Sequence, residues 1–248
     1  MNVIERTPAS DRPLPHWPAI NPKPAPILPA IRASLRSIWT ALRRERPERR
    51  YERRILKRLA RGDLTNTLGV EIRDETLVRA SSERWLSVLV QLGLAPDHIC
   101  VEYGCGSLWC AEPIIRYLGP GRFMGLDTTT SFYELGRQRL HQLLDTKEVG
   151  LSVISRRSLR AVAALKPDFV YAHRVLHHVP RHDLPRFVRS VSMLLNERTT
   201  LIIENTRAAP GESQAGARYG TDDIQPHLPQ DWHCRQESFG FLIRYREL

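Results

Sequence analysis

Apolar residues in this chain fall into short runs that alternate with helically spaced segments. Ile99, Cys100 and Val101 form a strand-like run that ends at Glu102 and Tyr103. Gly104-Cys105-Gly106 follows, and Leu108, Ala111, Ile114, Ile115 and Leu118 then recur at helical spacing. Gly119-Pro120-Gly121 stops that helix, and a second run, Phe123 to Leu126, ends at Asp127. Upstream, Ser82 to Leu92 predicts a helix carrying Trp85, Leu86, Leu89, Val90 and Leu92. Downstream, Thr128 to Ser131 caps a helix that reaches about Leu144. Val149–Ile154, Asp168–Ala172 and Thr199–Ile203 read as strands, the last leading into Glu204. Leu159–Leu165 and Leu184–Leu195 read as the helices between them, and Trp232–Phe239 with Phe241–Tyr245 as a hairpin pivoting at Gly240. Strands alternating with helices predict an α/β fold.

The stretch from Ile99 to Thr128 carries the first chemical signal. Glycines let a backbone turn tightly and approach a ligand, and a following helix presents unpaired N–H groups. An acid at the end of the next strand can accept ribose hydroxyls, and Asp127 lies 23 residues past Gly104, near the roughly 20 expected of that layout. A nucleoside-containing cofactor is the expectation. The dinucleotide pattern G-x-G-x-x-G fails, because its third glycine position holds Trp109.

Glu102-Tyr103-Gly104-Cys105-Gly106 resembles the first motif of class I S-adenosylmethionine-dependent methyltransferases, acid-x-Gly-x-Gly. The wider string Gly104-Cys105-Gly106-Ser107-Leu108, with Tyr117-Leu118, Gly121 and Gly125-Leu126-Asp127 behind it, is similar to a bacterial subgroup of that family. Leu108 replaces the family's usual third glycine, and Trp109 stands where the subgroup often has arginine. Asp168 through Val179, an apolar strand followed by Leu176-His177-His178-Val179, resembles the family's fourth motif. Together the likeness spans roughly residues 82 to 248. It implies a Rossmann-like, seven-stranded, mostly parallel sheet with helices on both faces, closed by two strands of which one is antiparallel.

The same resemblance implies S-adenosylmethionine as cofactor, in contact with Glu102, Gly104, Cys105, Gly106, Ser107, Asp127, Thr128 and His173. His173 and His178 are the candidate catalytic residues, since histidine suits a general base near neutral pH. His178 has a second reading, as a hydrogen-bonded histidine beneath the site. Glu204 is a further acceptor-side candidate, and His177 reads as solvated. The acid that the family presents after its third strand is replaced by Ser155-Arg156-Arg157-Ser158. Subgroup likeness points to a small-molecule or glycan-like acceptor. Two other readings stay open: a nucleic-acid methyltransferase, and a non-catalytic scaffold of the same fold.

Composition adds the domain plan. A chain of 248 residues with 42% hydrophobic content builds one good core. Nine of its ten net positive charges lie between Arg32 and Arg61, where twelve Lys or Arg face three Glu. Residues 1–30 hold eight prolines and read as a disordered leader, residues 31–62 as a basic amphipathic helical arm, and 63–248 as the methyltransferase domain. The arm suits an anionic membrane surface, an acidic partner, or packing on its own domain. Its lack of interleaved aromatics argues against nucleic acid. Four cysteines without C-x-x-C spacing predict reduced thiols and no metal site. With no run of eighteen apolar residues, a soluble cytoplasmic protein, peripheral to the membrane at most, is the expectation.

Overall fold

Four strands are buried along their whole length: Cys100–Tyr103 (β1), Phe123–Asp127 (β2), Phe169–Ala172 (β4) and Thr200–Glu204 (β5). Continuous burial is what a parallel sheet covered on both faces requires. Gly150–Val153 (β3) and Trp232–Glu237 (β6) are partly exposed, as edge strands should be, and Gly240–Tyr245 (β7) completes the sheet. The computed structural model describes residues 75–204 and 219–246, with Arg53 and Lys57, which are helical and exposed. The proline-rich leader and the rest of the basic arm lie outside the described residues.

The sheet is seven-stranded and Rossmann-like, in the order β3-β2-β1-β4-β5-β7-β6. β7 runs antiparallel to both of its neighbours, and the other pairings are parallel. Alternate residues feed two cores. Val101, Leu126, Val170, Leu201 and Ile203 face the helices Arg156–Ala163 (α4) and Leu184–Ser192 (α5). Cys100, Phe169, Tyr171 and Ile202 face Glu75–Gln91 (α1), Ala111–Tyr117 (α2) and Thr130–Thr146 (α3). A short helix, Thr221–Ile224 (α6), precedes β6. Strand order reverses between β1 and β4, so a ligand crevice is expected at their carboxyl ends.

Four local expectations change. The helix α1 begins at Glu75, upstream of Ser82, whose hydroxyl bonds the distant Trp109 carbonyl at 3.1 Å. Val90 is 40% exposed on the outer side of α1 and is not a core residue. The α4 helix starts at Arg156, where Ser155 and Ser158 close a reciprocal capping box. Gly240 is no pivot: it pairs with Glu237 and opens β7, leaving Ser238-Phe239 as the turn.

Candidate functional site

The turn between β1 and α2 has three residues with positive φ: Gly104 (87°), Gly106 (49°) and Leu108 (61°). Leu108 therefore takes the left-handed conformation that glycine would take at no steric cost. It is also fully buried. Leu108→Gly would relieve about 1–2 kcal/mol of backbone strain but forfeit the larger packing of a buried leucine, about 2–5 kcal/mol. A net loss of about 2 kcal/mol in denaturant unfolding is expected, and a stabilised variant would contradict this account. Gly104 is needed for a second reason, since a Cβ there would come within 2.5 Å of Val175 Cγ2 in the loop after β4.

Asp127 fastens this turn to β2. Its Oδ2 accepts the Gly106 N–H at 2.7 Å, and its Oδ1 accepts Thr128 N at 2.6 Å and the Thr128 hydroxyl at 3.1 Å. Burial raises the pKa of the carboxyl, and these donors pull it back. The backbone of Thr129 adds a further donor, so the roughly four acceptor places of a carboxylate are taken and a ligand hydroxyl would have to replace one of these donors. The turn also leans on α3, where a Cβ on Gly136 would sit 2.3 Å from Ser107 O. That contact is invisible in the glycine motif itself.

At the next strand tips, Glu102 of β1 pairs in register with Tyr171 of β4. Glu102 is 2% exposed, Tyr171 0% and Trp85 of α1 5%. The Trp85 ring lies 6.2 Å from Tyr171 and 5.0 Å from His173, centroid to centroid. Burial drives the Glu102 pKa well up; the Tyr171 hydroxyl pulls it down and Asp127 adds to the rise. The Tyr171 hydroxyl faces the Glu102 carboxyl outside strict hydrogen-bond geometry but close enough to act on it, whereas Trp85 Nε1 and Ser107 Oγ lack a partner. Each such group costs about 1–3 kcal/mol.

His173 follows β4 and is buried. Its Nε2 lies 3.2 Å from Glu204 Oε2 and 4.0 Å from Cys110 Sγ. Glu204 Oε2 also accepts the N–H of Arg174 at 2.7 Å. An ionised carboxylate only accepts, so Nε2 carries the proton and Nδ1 the lone pair. Burial lowers the His173 pKa; Glu204 opposes the drop, and Arg174 and His177 add to it. The imidazole is thus neutral at pH 7.

Of the expected contact residues, Glu102, Ser107, Asp127 and His173 are buried around the carboxyl ends of β1, β2 and β4. The Cys105 side chain turns into the core, because a Cβ on Gly125 of β2 would meet its Sγ at 3.0 Å. Only the backbone of Cys105 faces the turn. Thr128 is exposed, and both its backbone N–H and its hydroxyl serve Asp127. His178 does not lie beneath the site: it is exposed, its ring 3.7 Å from that of His177. The 3-10 turn Leu176–His178 buries only Leu176 and turns both histidines outward.

Trp109 is held under the Arg139 guanidinium of α3, 3.7 Å from the ring centroid. Arg139 also pairs with Glu112 at 2.6 Å. After β3, Ser155 and Ser158 satisfy each other, and Arg156 and Arg157 are exposed. Sequence reasoning missed Tyr171 and Gly136. Gly136 gave one signal, a lone glycine inside a helical pattern. Tyr171 gave one too, a phenol in an otherwise apolar strand. Among the described residues, no helix is long and apolar enough to cross a membrane, and no cluster of three His, Cys, Asp or Glu could hold a metal.

No family model and no curated protein matches this chain. Solved structures do match. Magnesium protoporphyrin IX methyltransferase from Synechocystis PCC 6803 with bound SAH aligns over 67% of this chain and 83% of its own, at 16% identity and a TM-score of 0.50. The likeness is one of fold. The same enzyme with bound SAM aligns over 66% of this chain and 76% of its own, at 16% identity and a TM-score of 0.49. A SAM-dependent methyltransferase from Anabaena variabilis ATCC 29413 aligns over 68% and 86%, at 14% identity and a TM-score of 0.49.

Proposed function

We propose that this chain is a methyltransferase that uses S-adenosylmethionine and methylates a small-molecule or glycan-like acceptor. The observation that carries the reading is the Gly104–Leu108 turn, tied by its Gly106 N–H to the carboxylate of Asp127 at the next strand tip. The fold supports it, being shared with a methyltransferase whose structure holds SAH. The residues also suit the group. Asp127 can exchange the Thr128 hydroxyl, which it holds at 3.1 Å, for a ribose hydroxyl, the turn permits close backbone approach, and Glu102 Oε2, which lacks a partner in hydrogen-bond geometry, suits an ammonium.

Bound there, the sulfonium would supply an activated methyl carbon. The protein's work is then to orient the acceptor and exclude water. His173 Nδ1 is the base that takes a proton from an acceptor hydroxyl or amine. Glu204, bonded to Nε2, stabilises the imidazolium that results. His178 is left without a part in this chemistry.

Asp127→Ala is expected to weaken binding of the cofactor at least about tenfold, the worth of one charge-assisted hydrogen bond. Titration calorimetry measures it, and unchanged affinity would remove Asp127 from the site. Turnover is tested by incubating the protein with radiolabelled cofactor and cell extracts, then assaying S-adenosylhomocysteine. Tight cofactor binding with no labelled product in any extract would favour a non-catalytic scaffold.

A further inference from the structure

The two helical layers differ in charge. Helices α4 and α5 cover one side of the sheet, and neither contains an Asp or Glu. Arg156, Arg157 and Arg160 of α4 and Arg189 of α5 are exposed, and none of them has a carboxylate partner among the described residues. Asp223 of α6, which packs beside α5, is taken by Arg181 at 3.0 Å. On the opposite side acids are interspersed: Arg116 and Arg139 pair with Glu112 at 2.9 and 2.6 Å, and Arg137 with Glu134 at 3.8 Å. Residues 155–198 hold nine Lys or Arg against three Asp or Glu, a net +6. With +9 in the arm, the rest of the chain is left at −5.

This charge works against α4 itself. Cations beside the positive N-terminal end of a helix are unfavourable, and like charges four residues apart, as Arg156 and Arg160 are, repel. A surface selected for stability alone would set an acid in that first turn, which has none. Unanswered guanidinium groups across two neighbouring helices suit a polyanion. Phe187 is the sole aromatic residue of the two helices, and it is buried, so bases would find nothing to stack on. The arm points to a membrane as well. Its sequence sets Ile31, Leu35, Ile38, Trp39 and Leu42 on one helical face between arginines, the pattern of an interfacial helix. One such signal binds a membrane only marginally, and a second, polybasic one makes attachment stable. We propose that the α4–α5 face seats on an anionic phospholipid membrane, as the charged contact beside the arm. This does not depend on the methyltransferase reading.

Sedimentation of the full-length chain with vesicles tests it. Vesicles of phosphatidylcholine mixed with phosphatidylserine should bind the protein at least about tenfold more tightly than phosphatidylcholine alone. Combining Arg156→Gln, Arg157→Gln, Arg160→Gln and Arg189→Gln should cut that binding about tenfold or more. A matched variant on α1, α2 and α3 combines Arg79→Gln, Arg84→Gln, Arg116→Gln and Arg137→Gln. It removes the same charge from the opposite side, beyond a Debye length of about 8 Å from the membrane, and should cut binding less than about threefold. All eight side chains are exposed, so both variants are expected to fold, and thermal unfolding checks this. Equal losses from the two folded variants, or no preference for the anionic vesicles, would overturn the proposal. So would an RNA oligonucleotide that the first variant alone fails to bind while vesicles stay unbound, since the face would then belong to nucleic acid.

Discussion

Gly136→Ala is expected to destabilise the protein by about 1–3 kcal/mol, although the position is inside a helix. In an exposed helix the same change would gain about 1 kcal/mol. The sign reverses here because the new methyl would lie 2.3 Å from Ser107 O and 2.7 Å from Ser107 C. Both are backbone atoms, so no rotamer change relieves the contact. Either α3 retreats or the turn does, and the turn carries the Gly106 bond to Asp127. Cofactor affinity should therefore fall together with the melting temperature. Gly106→Ala is the useful comparison: its Cβ would meet nothing, leaving only the left-handed penalty of about 1–2 kcal/mol. Thermal unfolding and calorimetry on both variants test the contrast. A Gly136→Ala protein as stable as the wild type would show that the turn does not depend on this close approach.

Glu102→Gln should do the opposite to stability while abolishing binding. Burial raises the Glu102 pKa well above the ordinary carboxylate range, with Tyr171 opposing the rise and Asp127 reinforcing it. The folded protein thus holds this proton more tightly than the unfolded chain does. Where the native state binds more protons, stability falls as pH rises. The loss begins at the unfolded pKa, about 4.3, and is complete above the folded one. Glutamine has no such cost. Above that window the variant should be more stable by about 1–3 kcal/mol, each kcal/mol being about 2–4 °C at this size. At pH 4 the two proteins should melt close together, and the gap should open toward pH 8. A gap that does not change with pH would mean that Glu102 is not the group responsible. Greater stability with lost affinity is the mark of a residue kept for its ligand.

Much of this arrangement was legible in the chain. Short apolar runs marked β1, β2, β4 and β5, because strands covered on both faces are largely apolar. Asp127 stood out as an acid ending such a run, and it does sit at the strand tip beside the glycines. Leu108 shows where the reading had to stop. Its spacing fitted the following helix, yet its backbone is left-handed and it belongs to the turn. Periodicity reports which side is buried, not which φ is adopted. Trp85, Tyr171 and Glu102 lie in three separate segments, and their meeting depends on strand register and helix placement that no local pattern encodes. His178 is a different case: a motif fixed its place in sequence, but a tight 3-10 turn leaves its side chain exposed.

The place of β7 between β5 and β6 has a consequence for synthesis. Leu201, Ile202, Ile203 and Glu204 of β5 pair with residues 240–243 on that side. A growing chain therefore exposes an apolar strand with unanswered amides until those residues emerge from the ribosome. Such an edge is a template for unwanted pairing between chains. The last parallel strand is thus a segment of the nascent protein that gains from shielding until β7 arrives.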